Sequence, residues 1–210
     1  MRLCCVGDSF TNGTGDDDCL GWPGRIGADA RARGRDLTLY NLGIRRDTSA
    51  DILRRWDAET AARLPPDCDG RLVFCFGVND CVHEEGGPRV AADASLANAR
   101  AILRPAAARW PTLVLGPPPA GDAALDEHVQ ALSERQHALC RELAIPFLPL
   151  FPVLRHDEAW RREAVAGDGV HPNRGGYSRI AAAILTWSPW RAWVDGPGSG
   201  LIPVPAPALP

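Results

Sequence analysis

The sequence predicts an α/β fold built on an open, doubly wound parallel sheet. Short continuous apolar runs alternate with longer stretches of helical periodicity, which implies right-handed βαβ units. The runs are apolar throughout, as suits strands covered on both faces. Three of them end in polar, glycine-containing turns: Gly7-Asp8-Ser9, Asn41-Leu42-Gly43 and Gly77-Val78-Asn79-Asp80. In such sheets ligands bind beyond the carboxyl ends of the strands, so all three turns are expected on one edge.

Leu3–Val6 reads as the first strand, closed by Gly7. A helix is expected over Pro23–Arg33, then a second strand over Leu37–Leu42. The next helix spans Ala50–Arg63, with Ile52, Leu53, Trp56 and Leu64 on related turns. Leu72–Phe76 is the third strand, followed by a helix over Arg89–Arg109. Leu113–Leu115 is the fourth strand, and Pro117-Pro118-Pro119 stiffens the loop behind it. Leu125, Val129, Leu132, Gln136 and Leu139 place one stripe on a helix over Ala124–Leu143. Phe147–Leu150 is a weaker fifth strand. A last helix is expected over Arg174–Trp187, with Asn173 as its N-cap.

At 210 residues the chain is long enough for one such domain and its core. Residues 1–194 are assigned to the domain. Residues 195–210 form a proline-rich tail, through which a homo-oligomer is one expectation. The formal net charge of −3 argues against electrostatic binding of nucleic acid or an anionic membrane. All 23 basic residues are arginine, which reads as a coding bias of the source. The first apolar run is too short for a secretory signal, and no stretch reaches the length of a membrane span. The seven cysteines are odd in number and hold no Cys-x-x-Cys pair, so reduced thiols in a cytoplasmic protein are expected.

The chemistry is expected to start at Ser9. A serine hydroxyl is a weak nucleophile without a base. Of the five histidines, only His171 sits in a segment with an obvious catalytic partner, Asp168-Gly169-Val170-His171-Pro172. Three residues of separation in a tight turn let the carboxylate reach one imidazole nitrogen and leave the other for a hydroxyl. Acyl transfer also needs donors for the developing oxyanion. The Asn79 amide and the backbone N–H groups of Gly43 and Ser9 are the candidates. Asp8 and Asp80 read as structural acids of their turns. Phe10 and Trp22 are candidates for the pocket entrance. The run Asp16-Asp17-Asp18 reads as a solvated loop, and no metal or cofactor is expected.

Four blocks together resemble the SGNH hydrolases, also called GDSL esterases/lipases. Gly7-Asp8-Ser9-Phe10-Thr11-Asn12-Gly13 is similar to the family's nucleophile block, and Asn41-Leu42-Gly43 to its glycine block. Gly77-Val78-Asn79-Asp80 is similar to its asparagine block, and Asp168-Gly169-Val170-His171 to its Asp-x-x-His block. Each is weak alone. Their order, from residue 7 to residue 171, is specific. The resemblance implies a flavodoxin-like three-layer α/β/α sandwich with a five-stranded parallel sheet. It also implies hydrolysis of a small-molecule ester or thioester through an acyl-serine, with Ser9, His171 and Asp168 as the triad. Arg45 and Arg46 follow Gly43 where relatives often carry small residues, so a basic pocket rim including Arg46 is expected.

Loops 80–89 and 117–124 hold few bulky apolar residues, which favours short acyl chains. Two other readings compete. A flavin-binding, flavodoxin-like electron carrier would use Ser9–Thr14 as a phosphate loop, but leaves Asn79 and the Asp168–His171 pair unexplained. A non-catalytic binding protein on the same fold would leave the intact triad residues unexplained.

Overall fold

The first three apolar runs form the strands β1 (Arg2–Gly7), β2 (Thr38–Gly43) and β3 (Gly70–Cys75). After β3 comes a two-stranded antiparallel hairpin, β4 (His83–Glu84) and β5 (Gly87–Pro88). β6 (Thr112–Leu115) and β7 (Phe147–Leu148) complete a five-stranded sheet of order β2-β1-β3-β6-β7, parallel throughout. The computed structural model describes residues 1–84 and 86–196. Residues 197–210, most of the expected proline-rich tail, lie outside that range.

The helices are α1 (Ser9–Asn12), α2 (Gly21–Ala32), α3 (Ser49–Ala61), α4 (Val78–Cys81) and α5 (Ala92–Arg109). They continue with α6 (Ala123–Glu142), α7 (Leu150–Leu154), α8 (Glu158–Ala166), α9 (Arg174–Thr186) and α10 (Ser188–Asp195). Side chains alternate across a strand, so each strand feeds two cores. Leu3, Cys5, Val73 and Cys75 face Trp22 and Ile26 of α2, Trp160 of α8 and Tyr177 and Ile180 of α9. Cys4, Val6, Leu72 and Phe74 face Ile52 and Trp56 of α3 and Ile102 and Leu103 of α5. This explains the unbroken apolar runs: neither face of the central strands meets water.

Several elements differ from the sequence expectation, three of them with a plain physical reason. The fifth strand stops at Leu148, because Pro149 has no N–H to give the ladder and instead leads into α7. α8 is not foreseen: its buried stripe is only Trp160 and Ala164, too short to register as a period. The final helix ends at Thr186, and Trp187 opens a separate helix, α10, with proline in its first turn. Asp195, where the tail is expected to begin, is the last residue of α10. All seven cysteines are free thiols. Among the described residues no helix is long and apolar enough to cross a membrane.

From β1 the chain passes to β2 on one side and to β3 on the other. Gly7 is level with both Gly43 and Cys75, so the three strands end together. That edge is a topological switch point, where an open α/β sheet offers a crevice.

Candidate active site

Ser9 is the first residue of α1 and is buried. Asp8 caps this short helix: its Oδ1 accepts a hydrogen bond from the Phe10 amide at 3.0 Å. The turn sits hard against the sheet. A Cβ on Gly7 would lie 2.0 Å from the Cys75 carbonyl oxygen, and one on Gly43 would lie 2.1 Å from the Asn12 nitrogen. Glycine at both positions is therefore a condition for seating α1 on the strand ends.

His171 reaches Ser9 from the opposite end of the chain. Its Nε2 lies 2.8 Å from Ser9 Oγ, and its Nδ1 lies 2.7 Å from Asp168 Oδ2. With the proton on Nδ1, His171 donates to Asp168 and accepts from the Ser9 hydroxyl. Asp168 Oδ1 accepts from the Val170 and His171 amides, at 3.1 and 2.9 Å, which folds the turn around the carboxylate. Burial works against this carboxylate, but these amides and the ring outweigh it and hold its pKa at about 2. Phe10 underlies the imidazole with ring centroids 5.0 Å apart, and Trp160 stacks on Phe10 at 5.9 Å. Glu163 in α8 anchors the next helix, its carboxylate accepting from the amides of Asn173, Gly175 and Gly176. A carboxylate there also faces the positive end of the α9 dipole.

Asn79 lies in α4, on the third strand end. Gly77 precedes that helix with φ +128°, a region open to glycine. Asn79 Nδ2 donates one hydrogen bond to the Asp47 carbonyl at 3.0 Å, and a second amide proton remains. Asp80 braces the same turn. It accepts from the Ser49 amide at 2.7 Å and, through a very short contact, from the Ser95 hydroxyl. Burial is the main reason its pKa is raised.

The structure thus gathers Ser9, Asp168, His171, Gly43 and Asn79 on one sheet edge. The Gly43 N–H, on the gathered edge, donates to Asn41 Oδ1 at 3.0 Å. Other expected residues fall elsewhere. Phe10 and Trp22 are buried in the core instead of lining an entrance, because α1 and α2 turn their aromatic faces onto the sheet. Arg46, with φ +71°, turns away to Glu84 of the hairpin at 3.1 Å. Its neighbour Arg45 turns the other way and meets Asp168 Oδ2 at 3.2 Å. The acidic run is internally occupied. Asp16 is paired to Arg25, Asp18 to Arg25 and Arg174, and Asp17 accepts from Asn173. Among the described residues no group of three or more His, Cys, Asp or Glu is arranged to hold a metal ion.

Arg55 is a structural partner that sequence reading misses. It donates to the carbonyls of Gly7 and Leu42, at 2.9 and 3.0 Å, and to Asp47 Oδ2 at 2.7 Å. It ties together the ends of β1 and β2 and the loop whose carbonyl holds Asn79. Its place on the helical face of Ala50–Arg63 gives no sign of this, since an arginine between turns reads as solvated.

The chain matches the GDSL-like lipase/acylhydrolase family over residues 5–179. No protein of curated function matches it in sequence. Solved structures with the same fold include a lipase/acylhydrolase from Enterococcus faecalis, at 21% identity, covering 88% of this chain and 93% of that one, with TM-score 0.70. A member of the lipolytic G-D-S-L family from Veillonella parvula is 20% identical, covering 88% and 96%, with TM-score 0.72. The acetylxylan esterase Axe2 from Geobacillus stearothermophilus is 18% identical, covering 88% and 92%, with TM-score 0.69. The likeness spans the parallel sheet and every block that forms the site, and on that extent the chain belongs to the GDSL-like lipase/acylhydrolase family of carboxylic ester hydrolases.

Proposed function

We propose that this chain hydrolyses esters of short acyl chains through an acyl-serine formed on Ser9. The observation that carries the reading is the continuous relay from Ser9 Oγ to His171 Nε2 at 2.8 Å and from His171 Nδ1 to Asp168 Oδ2 at 2.7 Å. Ser9 Oγ attacks the ester carbonyl as His171 takes its proton, and Asp168 stabilises the imidazolium. The second N–H of Asn79 and the Ser9 amide meet the oxyanion. The Ser9 amide opens a helical turn, where amides have no intrahelical partner. The Gly43 amide joins them once its bond to Asn41 opens. Water, activated by His171, then releases the acid and restores Ser9.

Short acyl groups are favoured by loops 80–89 and 117–124, which hold few bulky apolar residues. The flavin reading has less support. Asp8 fills the N-terminal end of the turn after β1 with its own carboxyl group, where a phosphate would have to sit.

The test is hydrolysis of p-nitrophenyl esters from acetate to palmitate. Turnover is expected to be highest for the short esters and lost in Ser9→Ala at an unchanged Tm. Asn79→Ala is expected to lower kcat by about 10²–10³-fold. Full activity in folded Ser9→Ala protein would overturn the mechanism, and a palmitate preference would overturn the acyl assignment.

A further inference from the structure

We propose that the alcohol part of the ester is polyhydroxylated, of the carbohydrate type, and that it occupies the cavity beside His171 and Asp168. The inference rests on the acyl-transfer reading above. In that reaction the proton taken from Ser9 sits on His171 Nε2. As the tetrahedral intermediate collapses, the bond from the acyl carbon to the alcohol oxygen breaks and that oxygen receives the proton. The leaving oxygen therefore lies at Nε2, and whatever it carries extends on the His171 side.

His171 and Asp168 line a cavity of about 610 Å³. Its wall is unlike a lipid site. It presents Asp17, Arg45, Glu163, Asp168, Asn173 and Arg174, and its one aliphatic side chain is Ala166. An alkyl chain placed here would strip water from charged groups and meet only one aliphatic side chain, Ala166. A phosphorylated alcohol fits no better. Arg45 already faces Asp168 at 3.2 Å, Arg174 already faces Asp18 at 2.8 Å, and the wall holds more carboxylates than guanidiniums. Hydroxyl groups suit it. Each both donates and accepts, while the guanidiniums keep further N–H donors and the carboxylates further lone pairs. Such a wall takes a neutral polyol without leaving any charge unpaired.

Three acetate esters that share the acyl group and differ only in the alcohol test this: a mono-acetylated methyl glycoside, octyl acetate and p-nitrophenyl acetate. The glycoside acetate is expected to exceed octyl acetate in kcat/KM by about tenfold or more. Ala166→Phe fills the cavity from an exposed helix end, and Asp17→Ala removes an acceptor from its wall. Each is expected to lower kcat/KM for the glycoside acetate about tenfold further than for octyl acetate. Equal or better turnover of octyl acetate, or equal losses on both esters in both variants, would overturn the alcohol assignment. p-Nitrophenyl acetate separates the two levels. If its turnover depends on Ser9 while octyl acetate is preferred, the alcohol assignment fails alone. If folded protein turns over none of the three, the acyl-transfer reading fails with it.

Discussion

Beside Ser9 sits a carboxyl group whose surroundings oppose its ionisation. Asp8 is fully buried, and burial raises its pKa to about 7, with Asp80 and Asp47 adding to the effect and the Phe10 and Gly77 amides opposing it. Its Oδ2 has no hydrogen-bond partner among the described residues. The folded state thus keeps a proton that the unfolded chain releases near pH 4. Stability is lost as pH rises from about 4 to about 7 and is level above that. Asp168 acts in the opposite direction and lower down. Its contribution is complete above about pH 4 and is lost as pH falls towards 2. Asp8→Asn keeps the cap acceptor and removes the charge. The Tm of Asp8→Asn relative to wild type is expected to climb between pH 4 and pH 8, by an amount worth up to about 4 kcal/mol. A difference that stays flat across that range would show that Asp8 does not titrate in the folded protein.

At the level of elements, the site depends on how closely α1 approaches the ends of β1 and β2. Gly43 is the tightest point on the β2 side. A Cβ there would stand 2.1 Å from the Asn12 nitrogen and 2.6 Å from the Asn12 Cα, both backbone atoms that cannot swing aside. Gly43→Ala is therefore expected to push α1 off the strand ends, at about 3 kcal/mol or more. For a chain of this size that is roughly 6–12 °C in Tm. Ester turnover should fall with it, because Ser9 rides on α1. Wild-type Tm and turnover in that variant would show that the turn can shift freely. α3 shows the opposite, locally written kind of control. Thr48 and Asp51 form a capping box whose two halves are visible three residues apart in the sequence.

Across the whole molecule, one sheet serves two cores. Leu3 and Cys5 point into the layer that holds Trp22 and Trp160, while Cys4 and Val6 point into the layer that holds Trp56. Neither layer can lose its packing without exposing a face of β1 and β3, so the two should unfold together. Tryptophan fluorescence of Trp56→Phe/Trp110→Phe, whose remaining tryptophans all belong to the α2/α8 layer, and far-UV dichroism are expected to give one coincident urea transition. Two separated transitions would mean that the layers fold as independent units.

By itself the sequence determined the alternation of strands and helices, the glycine turns at the strand ends, and the Ser9, Asn79 and Asp168–His171 blocks. These are local patterns: an apolar run, a turn residue, a carboxylate three residues from a histidine. Tertiary structure decided what lies between residues far apart in the chain. It set Arg45 on Asp168 while sending Arg46 to Glu84, and turned Phe10 and Trp22 into the core. It also made Arg55 a tie between two strand ends and shaped the polar cavity beside His171. The physical reason is that a side chain's direction, and the partner that satisfies its charge or its N–H, follow from which elements pack against it. The sequence fixes which groups are available, and packing across the sheet edge chooses among their partners.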